Sequence, residues 1–454
     1  MTKHNNKNTA TIVLAAGLGT RMKSALPKVL HPLAGRPMIQ HLLGTLSDTG
    51  IDRVIVVTSD GADDVATAVA PNPTVVQKEQ LGTGHAALQA ADKLAGFDGD
   101  VLIMFGADPL ITSETINGLL ARRRDGAAIA VLGFRPDDPG LYGRLIIGAD
   151  GDLEGIIEAR DATPEQLAGD LCNSGIMAVD GTCLFDLLGR VGNDNAKSEY
   201  YLTDIVSLAR ADGQRCVIME ADDPSELIGV DSRADLAQAE AVIQARLRAS
   251  AMDAGATLIG PETVFLSFDT VLGKDVTIGP NVVFAPGVTV GDSVTIRPFC
   301  HLEGATIADG AIVGPFARLR PGADIGTDVR VGNFVEIKNA QLESGAKVNH
   351  LTYVGDARVG AGANVGAGTI TCNYDGFGKH RTDIGTGAFI GSNTALVAPV
   401  RIGDGAIVGA GSTIAKDVAA NSLAVTRASQ RQIDGWAETF RDKKSSEKTK
   451  KNKA

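Results

Sequence analysis

A six-residue repeat between about Val264 and Ile414 constrains the fold of this chain more than any other feature. Large apolar residues recur at every sixth position in three runs, with one five-residue step after the first run. This period is typical of a parallel β-helix, in which each hexad supplies a short strand and a corner. About three hexads would close one triangular coil, and coils would stack at roughly 4.8 Å. The repeating positions are Ile278, Phe284, Val290, Ile296 and Leu302, then Val313, Leu319, Ile325, Val331 and Ile337, and finally Ile384, Ile390, Leu396, Ile402, Val408 and Ile414.

The composition agrees with thin, repetitive coils and restricts the partners of the chain. Aromatic residues make up only 4% of the 454 residues, whereas Gly occurs 54 times. The net charge of −11 argues against nucleic-acid binding, and no apolar run predicts a signal peptide or a membrane span. The five cysteines contain no Cys-x-x-Cys pair, which favours reduced thiols and a cytoplasmic location. Basic residues cluster near the carboxyl end, which predicts a disordered tail.

The first half of the chain alternates apolar runs with helix-like stretches. The runs begin at Thr11, Val54, Val101, Ala128 and Cys216. Such alternation predicts a doubly wound, mostly parallel α/β sheet. Residues 233–250 lack Gly and Pro and are rich in helix formers, so they predict a connecting helix. The predicted domains are therefore 1–232, a linker helix over 233–254, and a β-helix over 255–454 that includes the tail.

A glycine-rich turn follows the first predicted strand. The chain reads L-A-A-G-L-G-T-R-M from Leu14, and P-K comes shortly after. Backbone N–H groups of such a turn can approach phosphates closely, and Arg21 and Lys28 add two cations beside it. Met22 stands where a dinucleotide fingerprint has its third Gly, and the Gly-Lys-Ser/Thr of a P-loop is absent. The turn with its two cations therefore predicts phosphate binding of another kind.

This turn resembles that of the sugar-nucleotide pyrophosphorylases, whose motif is G-x-G-T-R followed by P-K. The rest of their pattern follows in order, and a second motif set stands on the hexapeptide repeat. The combination resembles, over nearly the whole chain, the family of bacterial bifunctional N-acetylglucosamine-1-phosphate uridyltransferases and glucosamine-1-phosphate acetyltransferases. The matching stretches are Q-K-E-Q-L-G-T-G from Gln77, Y-G-R from Tyr142, Glu158, N-S-G from Asn173, E-Y-Y-L-T-D from Glu199, H-L-T-Y-V-G from His350, Asn364, and T-C-N-Y-D-G from Thr371.

The resemblance implies a Rossmann-like nucleotide-binding domain, a connecting helix and a left-handed β-helix, assembled as a homotrimer. The first domain would couple N-acetylglucosamine 1-phosphate to UTP with Mg²⁺, Arg21 and Lys28 neutralising the spreading charge. The second would acetylate glucosamine 1-phosphate from acetyl-CoA, and the UDP-N-acetylglucosamine produced would supply peptidoglycan and lipopolysaccharide synthesis. The implied UTP and sugar-nucleotide residues are Leu14, Ala15, Ala16, Gly17, Lys28, Gln77, Gly82, Thr83, Gly143, Glu158, Asn173 and Asp231.

His350 is the candidate base of the acetyl transfer. A histidine is suited to deprotonate an amine that attacks a thioester. His350 lies in a run that departs from the plain hexad, and the loop with Asn373 and Tyr374 projects from an otherwise regular prism. The resemblance implies that the sugar phosphate contacts Arg320, Lys338, Tyr353, Asn364 and Lys379, and that acetyl-CoA contacts Ala367, Asn373, Tyr374, Ser392, Ala410 and Arg427.

Two positions depart from the family pattern at the metal site. The family reads Gly-Asp-x-Pro-Leu where this chain has Ala107 followed by Asp108, and Asp231 replaces the usual Asn. Side chains of neighbouring residues in a strand point to opposite faces, so we expect Asp108 to point away and Asp231 to hold the Mg²⁺. Slow uridylyl transfer is the consequence of that expectation.

Two rival functions fit parts of the pattern. One is a nucleotidyltransferase with a single activity whose β-helix binds a regulator, as in the adenylyltransferases of storage-sugar synthesis. A regulatory coil does not require the His350–Tyr353 run. The other is a trimeric scaffold without catalysis, which Arg21 and Lys28 argue against.

Overall fold

The computed structural model describes residues 8–451, which form two compact units. One unit comprises the residues up to Ala251 together with Phe265–Phe268, and the other comprises Met252–Val264 and the residues from Asp269 onward. The predicted fold class is confirmed: the first unit is α/β with a mostly parallel sheet, and the second is a left-handed parallel β-helix. No helix among the described residues is long and apolar enough to cross a membrane.

A nine-stranded sheet forms the centre of the first unit. Its path runs β9-β5-β8-β4-β1-β2-β3, and β6 and β7 extend it beside β8. Only β8 runs antiparallel to its neighbours on this path, β4 and β5. The strands are β1 Thr9–Ala15, β2 Arg53–Ser59, β3 Thr74–Gln77, β4 Asp100–Phe105, β5 Ile129–Phe134, β6 Arg144–Ile147, β7 Leu153–Ile157, β8 Cys172–Asp180 and β9 Cys216–Glu220.

Helices cover both faces of this sheet. Successive residues of its strands are therefore buried in two different apolar clusters, one on each face. Ile12 and Leu14 of β1 belong to one apolar cluster, whereas Val13 and Ala15 belong to the other. This is the pattern of a sheet that is buried on both sides. The helices are Met38–Asp48, Asp63–Val69, Thr83–Leu88, Ser113–Arg124, Pro164–Leu167, Gly181–Arg190, Asp204–Ala211 and Arg233–Asp253, and 3₁₀ turns occupy Thr20–Met22, Lys28–Leu30, Ala91–Leu94 and Pro224–Leu227.

The helix Arg233–Asp253 lies in the segment predicted as a linker, yet up to Ala251 it belongs to the first unit. Ala239 is fully buried in a cluster with Leu33 and Met38. The Gln244 side chain donates to the carbonyl of Leu266 at 2.7 Å and accepts from its N–H at 2.9 Å. The helix is therefore fixed by packing and by a paired hydrogen bond.

Short parallel strands stack in the second unit, and their register follows the repeat. Ile278 pairs with Ile296, and Ile296 pairs in turn with Val313. All three side chains are buried, as predicted for the inward position of each hexad. The strands are Thr257–Leu258, Val271–Leu272, Thr277–Ile278, Val283–Phe284, Thr289–Val290, Thr295–Ile296, His301–Leu302, Ala305–Ile307, Ile312–Val313, Arg318–Leu319, Ala323–Ile325, Arg330–Asn333, Glu336–Leu342, Lys347–His350, Tyr353–Val359, Asn364–Val365, Ile370–Cys372, Thr382–Ile384, Phe389–Ile390, Ala395–Val397, Val400–Ile402, Ile407–Val408, Thr413–Ile414 and Leu423–Ala424.

Residues 436–451, which lie in the segment predicted to be a disordered basic tail, form the helix Trp436–Lys451. The segment contains charges of both signs: Lys444 pairs with Glu447 at 2.7 Å, three residues along the same helix. Trp436 also stacks on Phe440, with ring centroids 5.1 Å apart. Neighbouring pairs at this spacing stabilise a helix, which the count of basic residues did not reveal.

Candidate functional site

A cavity of about 400 Å³ opens at the carboxyl ends of β1 and β4 in the first unit. Parallel α/β sheets bind ligands at this edge, where strands end and helices begin. Nine of the twelve residues predicted for the nucleotide and sugar line the cavity: Leu14, Ala15, Ala16, Gly17, Lys28, Gln77, Gly82, Thr83 and Asp231. The cavity also contains residues that the sequence did not assign, namely Val29, Gln80, Ala86, Phe105, Tyr142, Ser174, Glu199, Gly229 and Val230.

The glycine-rich turn brings its backbone next to Lys28. Gly19 has a φ of 59°, and a Cβ at this position would lie 2.8 Å from the Cβ of Lys28. Both the left-handed conformation and this close approach exclude a larger residue without rearrangement. The turn therefore places the lysine beside the strand end, as the G-x-G-T-R…P-K spacing predicted.

Asp231 joins the two predicted cations. Its carboxylate oxygens lie 2.8 Å from Arg21 Nη2 and 2.8 Å from Lys28 Nζ. The Lys28 side chain is 20% exposed, whereas that of Arg21 is 68% exposed. Arg21 lines a second cavity of about 790 Å³, which shares Tyr142, Gly229 and Asp231 with the first. The two cations therefore approach one carboxylate from adjoining cavities.

The expectation that Asp108 points away from this site is wrong. Asp108 lines the first cavity together with Lys28 and Asp231, and it is only 6% exposed. The strand β4 ends at Phe105, and the N–H of Asp108 donates to the Phe105 carbonyl at 3.2 Å. Because a turn and not a pleated strand carries residues 107 and 108, the rule of alternating faces does not apply here. Ala107 also lines the cavity, but its methyl group cannot bind a metal ion. Its backbone carbonyl accepts a hydrogen bond from Val230 N–H at 3.1 Å.

The environment of Asp108 is electrostatically unusual. Burial raises its pKa to about 7, the nearby Lys28 opposes this shift, and Asp231 adds to it. Oxygen Oδ2 is buried and has no hydrogen-bond partner within residues 8–451. A buried carboxylate oxygen without a partner is costly, which marks this position as a candidate for a ligand contact.

The predicted sugar residues divide between two places. Glu158 lines the second cavity, and burial raises its pKa against the opposing effects of Lys197 and Thr203. Gly143 and Asn173 line neither cavity, although the N–H of Asn173 donates to the Gly143 carbonyl at 2.8 Å. Among these three, only Glu158 is placed on a cavity wall.

The described residues contain no cluster of three or more His, Cys, Asp or Glu side chains suited to a metal. Asp108 and Asp231 are nevertheless two carboxylates on one cavity wall. Mg²⁺ accepts one or two protein carboxylates and completes its shell with water and substrate phosphates. The pair, with its unpartnered Asp108 oxygen, therefore fits such an ion.

In the second unit, His350 ends the strand Lys347–His350 and is exposed. Its Nδ1 lies 2.6 Å from Oδ1 of Asn333, which ends the strand one coil earlier. Asn333 was not among the residues predicted from the sequence. The one available signal was its position: Asn333 precedes His350 by 17 residues, about one coil.

A second group surrounds Asp356, which lies close to Lys338 and Lys379. Lys338 lowers the pKa of Lys379, since two ammonium groups close together disfavour double protonation. Asp356 accepts a hydrogen bond from the Asn373 amide, and that amide also contacts the Tyr353 hydroxyl at 3.4 Å. The structure thus brings together four predicted residues around an aspartate that the sequence did not indicate.

Most of the other predicted acetyl-transfer residues have no direct link to these groups. Arg320 forms an ion pair with Glu336 at 2.8 Å. The backbone of Tyr374 pairs with that of Lys379 in an isolated antiparallel β-bridge across the projecting loop. Within residues 8–451, no hydrogen bond or ion pair connects the following residues to His350 or to the two lysines: Asn364, Ala367, Ser392, Ala410 and Arg427.

Small residues form a column in these later coils. A Cβ on Gly366 would lie 2.6 Å from the N atom of Ser392, and a Cβ on Gly391 would lie 2.4 Å from the N atom of Ala410. The backbones of successive coils therefore approach closely beside Ala367, Ser392 and Ala410. The column leaves little side-chain bulk on this part of the surface.

Comparisons with known proteins agree with both units. Residues 11–163 match the family described as the MobA-like NTP transferase domain, and residues 269–304, 304–339 and 381–416 match the bacterial transferase hexapeptide family. The chain is 62% identical over 445 residues to the bifunctional protein GlmU of Paramagnetospirillum magneticum, covering 98% of this chain and 99% of the relative.

The chain belongs to the GlmU family. The GlmU protein of Rhodospirillum rubrum is 65% identical over 95% of this chain and 97% of its own length. That of Xanthobacter autotrophicus is 54% identical over 98% and 99%. Membership of the GlmU family, with a nucleotidyltransferase unit and a hexapeptide acyltransferase unit, makes the chain an enzyme of the transferase class.

Proposed function

We propose that the chain synthesises UDP-N-acetylglucosamine in two steps, one in each unit. The β-helix acetylates glucosamine 1-phosphate from acetyl-CoA, and the α/β unit joins the product to UTP with release of pyrophosphate. The observation that carries the two-step function is the coexistence of a cavity at the sheet edge, which holds Lys28 beside two aspartates, with a histidine and a lysine pair on the coils. GlmU relatives described as bifunctional support this proposal.

In the α/β unit, an oxygen of N-acetylglucosamine 1-phosphate attacks the α-phosphorus of UTP. The new P–O bond forms as the bond to the β-phosphate breaks, and pyrophosphate departs with the electron pair. The protein chiefly positions the reactants and neutralises charge in such a transfer. Lys28 lies on the cavity wall for this role, Arg21 serves from the adjoining cavity, and the glycine-rich turn presents N–H groups to the phosphates.

Asp108 and Asp231 are proposed as the residues that would hold Mg²⁺. When bound, the ion supplies charge neutralisation for the transferred phosphoryl group. Asp231 also orients Lys28 and Arg21 through its two short ion pairs. Asp108 would thus supply the carboxylate that Ala107 lacks. We therefore no longer expect slow uridylyl transfer, but a rate typical of an intact metal site.

In the β-helix, the amine of glucosamine 1-phosphate attacks the thioester carbonyl of acetyl-CoA. His350 takes the proton that the amine loses, the C–S bond breaks, and the CoA thiolate departs and is protonated. Lys338 and Lys379 are proposed to bind the sugar phosphate, with Arg320, Tyr353 and Asn364 around the sugar. Acetyl-CoA is proposed to run along the small-residue column of Ala367, Ser392 and Ala410, with Asn373, Tyr374 and Arg427 beside it.

The proposed assembly is a homotrimer in the cytoplasm. Phe299, Phe316 and Phe334 stack on successive coils, with ring centroids 4.8 and 5.1 Å apart, and each is about half exposed. Leu351 continues this apolar column next to His350. An exposed apolar patch of this kind supports contact with further copies of the chain. Light scattering of the wild type and of Phe316→Glu tests the trimer: the wild type should show three times the chain mass of 46.9 kDa, and the variant less.

One assay separates this function from its rivals. Purified protein receives glucosamine 1-phosphate, acetyl-CoA, UTP and Mg²⁺, and free thiol and pyrophosphate are followed separately. We expect both products, with pyrophosphate release depending on acetyl-CoA. Pyrophosphate from pre-acetylated substrate without any thiol release would support a regulatory β-helix, and the absence of both would support a scaffold.

A further inference from the structure

Asn333 and His350 occupy the same position in two successive coils. The strands Arg330–Asn333 and Lys347–His350 are parallel, and their register pairs Asn333 with His350 directly. The residue after each, Phe334 and Leu351, turns the corner with a positive φ of 56° and 49°. The coil geometry therefore repeats at this point, and the asparagine lies one strand spacing from the histidine.

The backbone holds the two coils tightly together at this corner. Leu351 N–H donates to the Asn333 carbonyl at 3.0 Å. A Cβ on Gly332 would lie 2.0 Å from the carbonyl oxygen of Asn349, so only glycine permits this approach. The Asn333 side chain therefore begins from a fixed backbone position, which limits how far its amide can move.

The contact between the side chains selects one form of the imidazole. Oδ1 of Asn333 is 2.6 Å from Nδ1 of His350. An amide oxygen only accepts hydrogen bonds, so Nδ1 must carry the proton, and Nε2 keeps the lone pair. No other side-chain hydrogen bond of the His350 ring occurs within residues 8–451. Nε2 is thus the nitrogen left to act on a substrate.

We propose that Asn333 is a positioning residue for acetyl transfer, which holds His350 as the Nδ1–H tautomer with Nε2 as the base. This inference rests on the proposed acetyltransferase function. In the reaction, Nε2 takes the proton of the attacking amine while Nδ1–H remains bonded to Oδ1, so the charge that develops on the ring is stabilised. Losing the acceptor lets the ring rotate and populate the tautomer that cannot serve as base.

The experiment compares Asn333→Leu, which has similar size but no acceptor, with Asn333→Asp, which keeps an oxygen at the same place. Gln341→Leu is the matched control, because Gln341 bonds to Asp324 across the same coil spacing but away from His350. Thiol release is measured over a range of both substrates and of pH, and pyrophosphate release from pre-acetylated substrate serves as the folding reference.

We expect Asn333→Leu to lower kcat for thiol release by about 10- to 100-fold, by analogy with metal-ligating histidines that lose the partner of their second ring nitrogen. KM values should change less than about twofold, since Asn333 acts through His350. Asn333→Asp should recover most of kcat, and the acid limb of its pH profile should move to higher pH because a carboxylate favours the imidazolium. Gln341→Leu should resemble the wild type.

Three outcomes would overturn the inference. The first two are an unchanged kcat in Asn333→Leu and a rise in KM that accounts for the whole loss of activity. The third is an equal loss of uridylyl transfer, which would mean that Asn333 stabilises the fold and does not position His350. A wild type that releases no thiol would instead refute the proposed acetyl transfer itself, so the two failures are distinguishable.

Discussion

The two units place their candidate sites by different physical means. In the α/β unit the site is a cavity, and its side chains come from turns that follow separate strands. In the β-helix the site lies on the surface, and its side chains come from equivalent positions of stacked coils. A cavity site depends on how each turn closes, whereas a coil site depends mainly on register. Sequence spacing is therefore a better guide to the second kind of site than to the first.

The same difference governs electrostatics. Asp108 is buried, and its pKa is raised to about 7. The charged groups on the coils are more exposed and are organised in pairs, such as Arg320 with Glu336. Interactions in the cavity are screened less by water than those on the coils. Single substitutions in the cavity should therefore affect chemistry strongly, whereas on the coils only the base itself should have an effect of that size.

The largest expected effect is the loss of the coil base. His350→Ala should slow thiol release by about 10²–10⁴-fold, since that is the usual contribution of a general base. Pyrophosphate release from pre-acetylated substrate should remain near the wild-type rate, because the units have separate cores. His301→Ala, at an exposed coil position, is the control. Full thiol release by a folded His350→Ala protein would contradict the assignment.

The next effect tests whether Asp108, which lies in the turn after β4, replaces the carboxylate that is missing at position 107. Asp108→Ala should lower uridylyl transfer by about 10²–10³-fold, the usual cost of one electrostatic partner at a reacting phosphate or oxyanion. It should also weaken Mn²⁺ binding, measured by electron paramagnetic resonance as a substitute for Mg²⁺. Thiol release should not change.

Two further variants sharpen this test. Asp137→Ala, at an exposed position between β5 and β6, is the control and should behave as the wild type. Ala107→Asp combined with Asp108→Ala restores the order usual in the family, and it should recover part of the Mn²⁺ affinity. Unchanged Mn²⁺ binding in Asp108→Ala would show that the carboxylate does not reach the ion.

A smaller effect is expected at the lysine pair. Lys379→Ala should raise the KM for glucosamine 1-phosphate by about 10- to 100-fold, because one hydrogen bond to a charged group contributes about 1.5–3 kcal/mol. The kcat of thiol release should change little, since Lys379 binds substrate without moving protons. Lys347→Ala, an exposed lysine on the coil of His350, is the control. A fall in kcat at constant KM would instead indicate a role in the chemical step.

The extent of prediction from sequence follows the same division. The hexad ladder predicted the β-helix and its inward residues, because a repeat with one period has few ways to stack. The glycine-rich turn predicted Lys28 and Arg21 beside the cavity. Asp108 was placed wrongly, since the sequence did not reveal that β4 ends before residue 107. Asp356 and Asn333 were not predicted, because partners of functional side chains are recognisable only once distances are known.

The smallest effect concerns the pH dependence of stability. It arises from Glu158, which lines the second cavity of the α/β unit. Burial raises the pKa of Glu158 above its ordinary value of 4.5, against the opposing effects of Lys197 and Thr203. The folded state therefore binds a proton more tightly than the unfolded state. Between 4.5 and the folded pKa, stability falls as pH rises, because the folded chain must ionise a buried carboxyl group.

Glu158→Gln removes this group, so its melting temperature relative to the wild type should rise as pH increases through that window, by about 2 °C. The measurement is calorimetry of the full chain without substrates, with Glu154→Gln as the exposed control on β7. A difference that stays constant with pH would mean that Glu158 ionises with equal ease in both states. Its position in the cavity would then have no electrostatic cost, and its proposed role near the sugar would rest on hydrogen bonding alone.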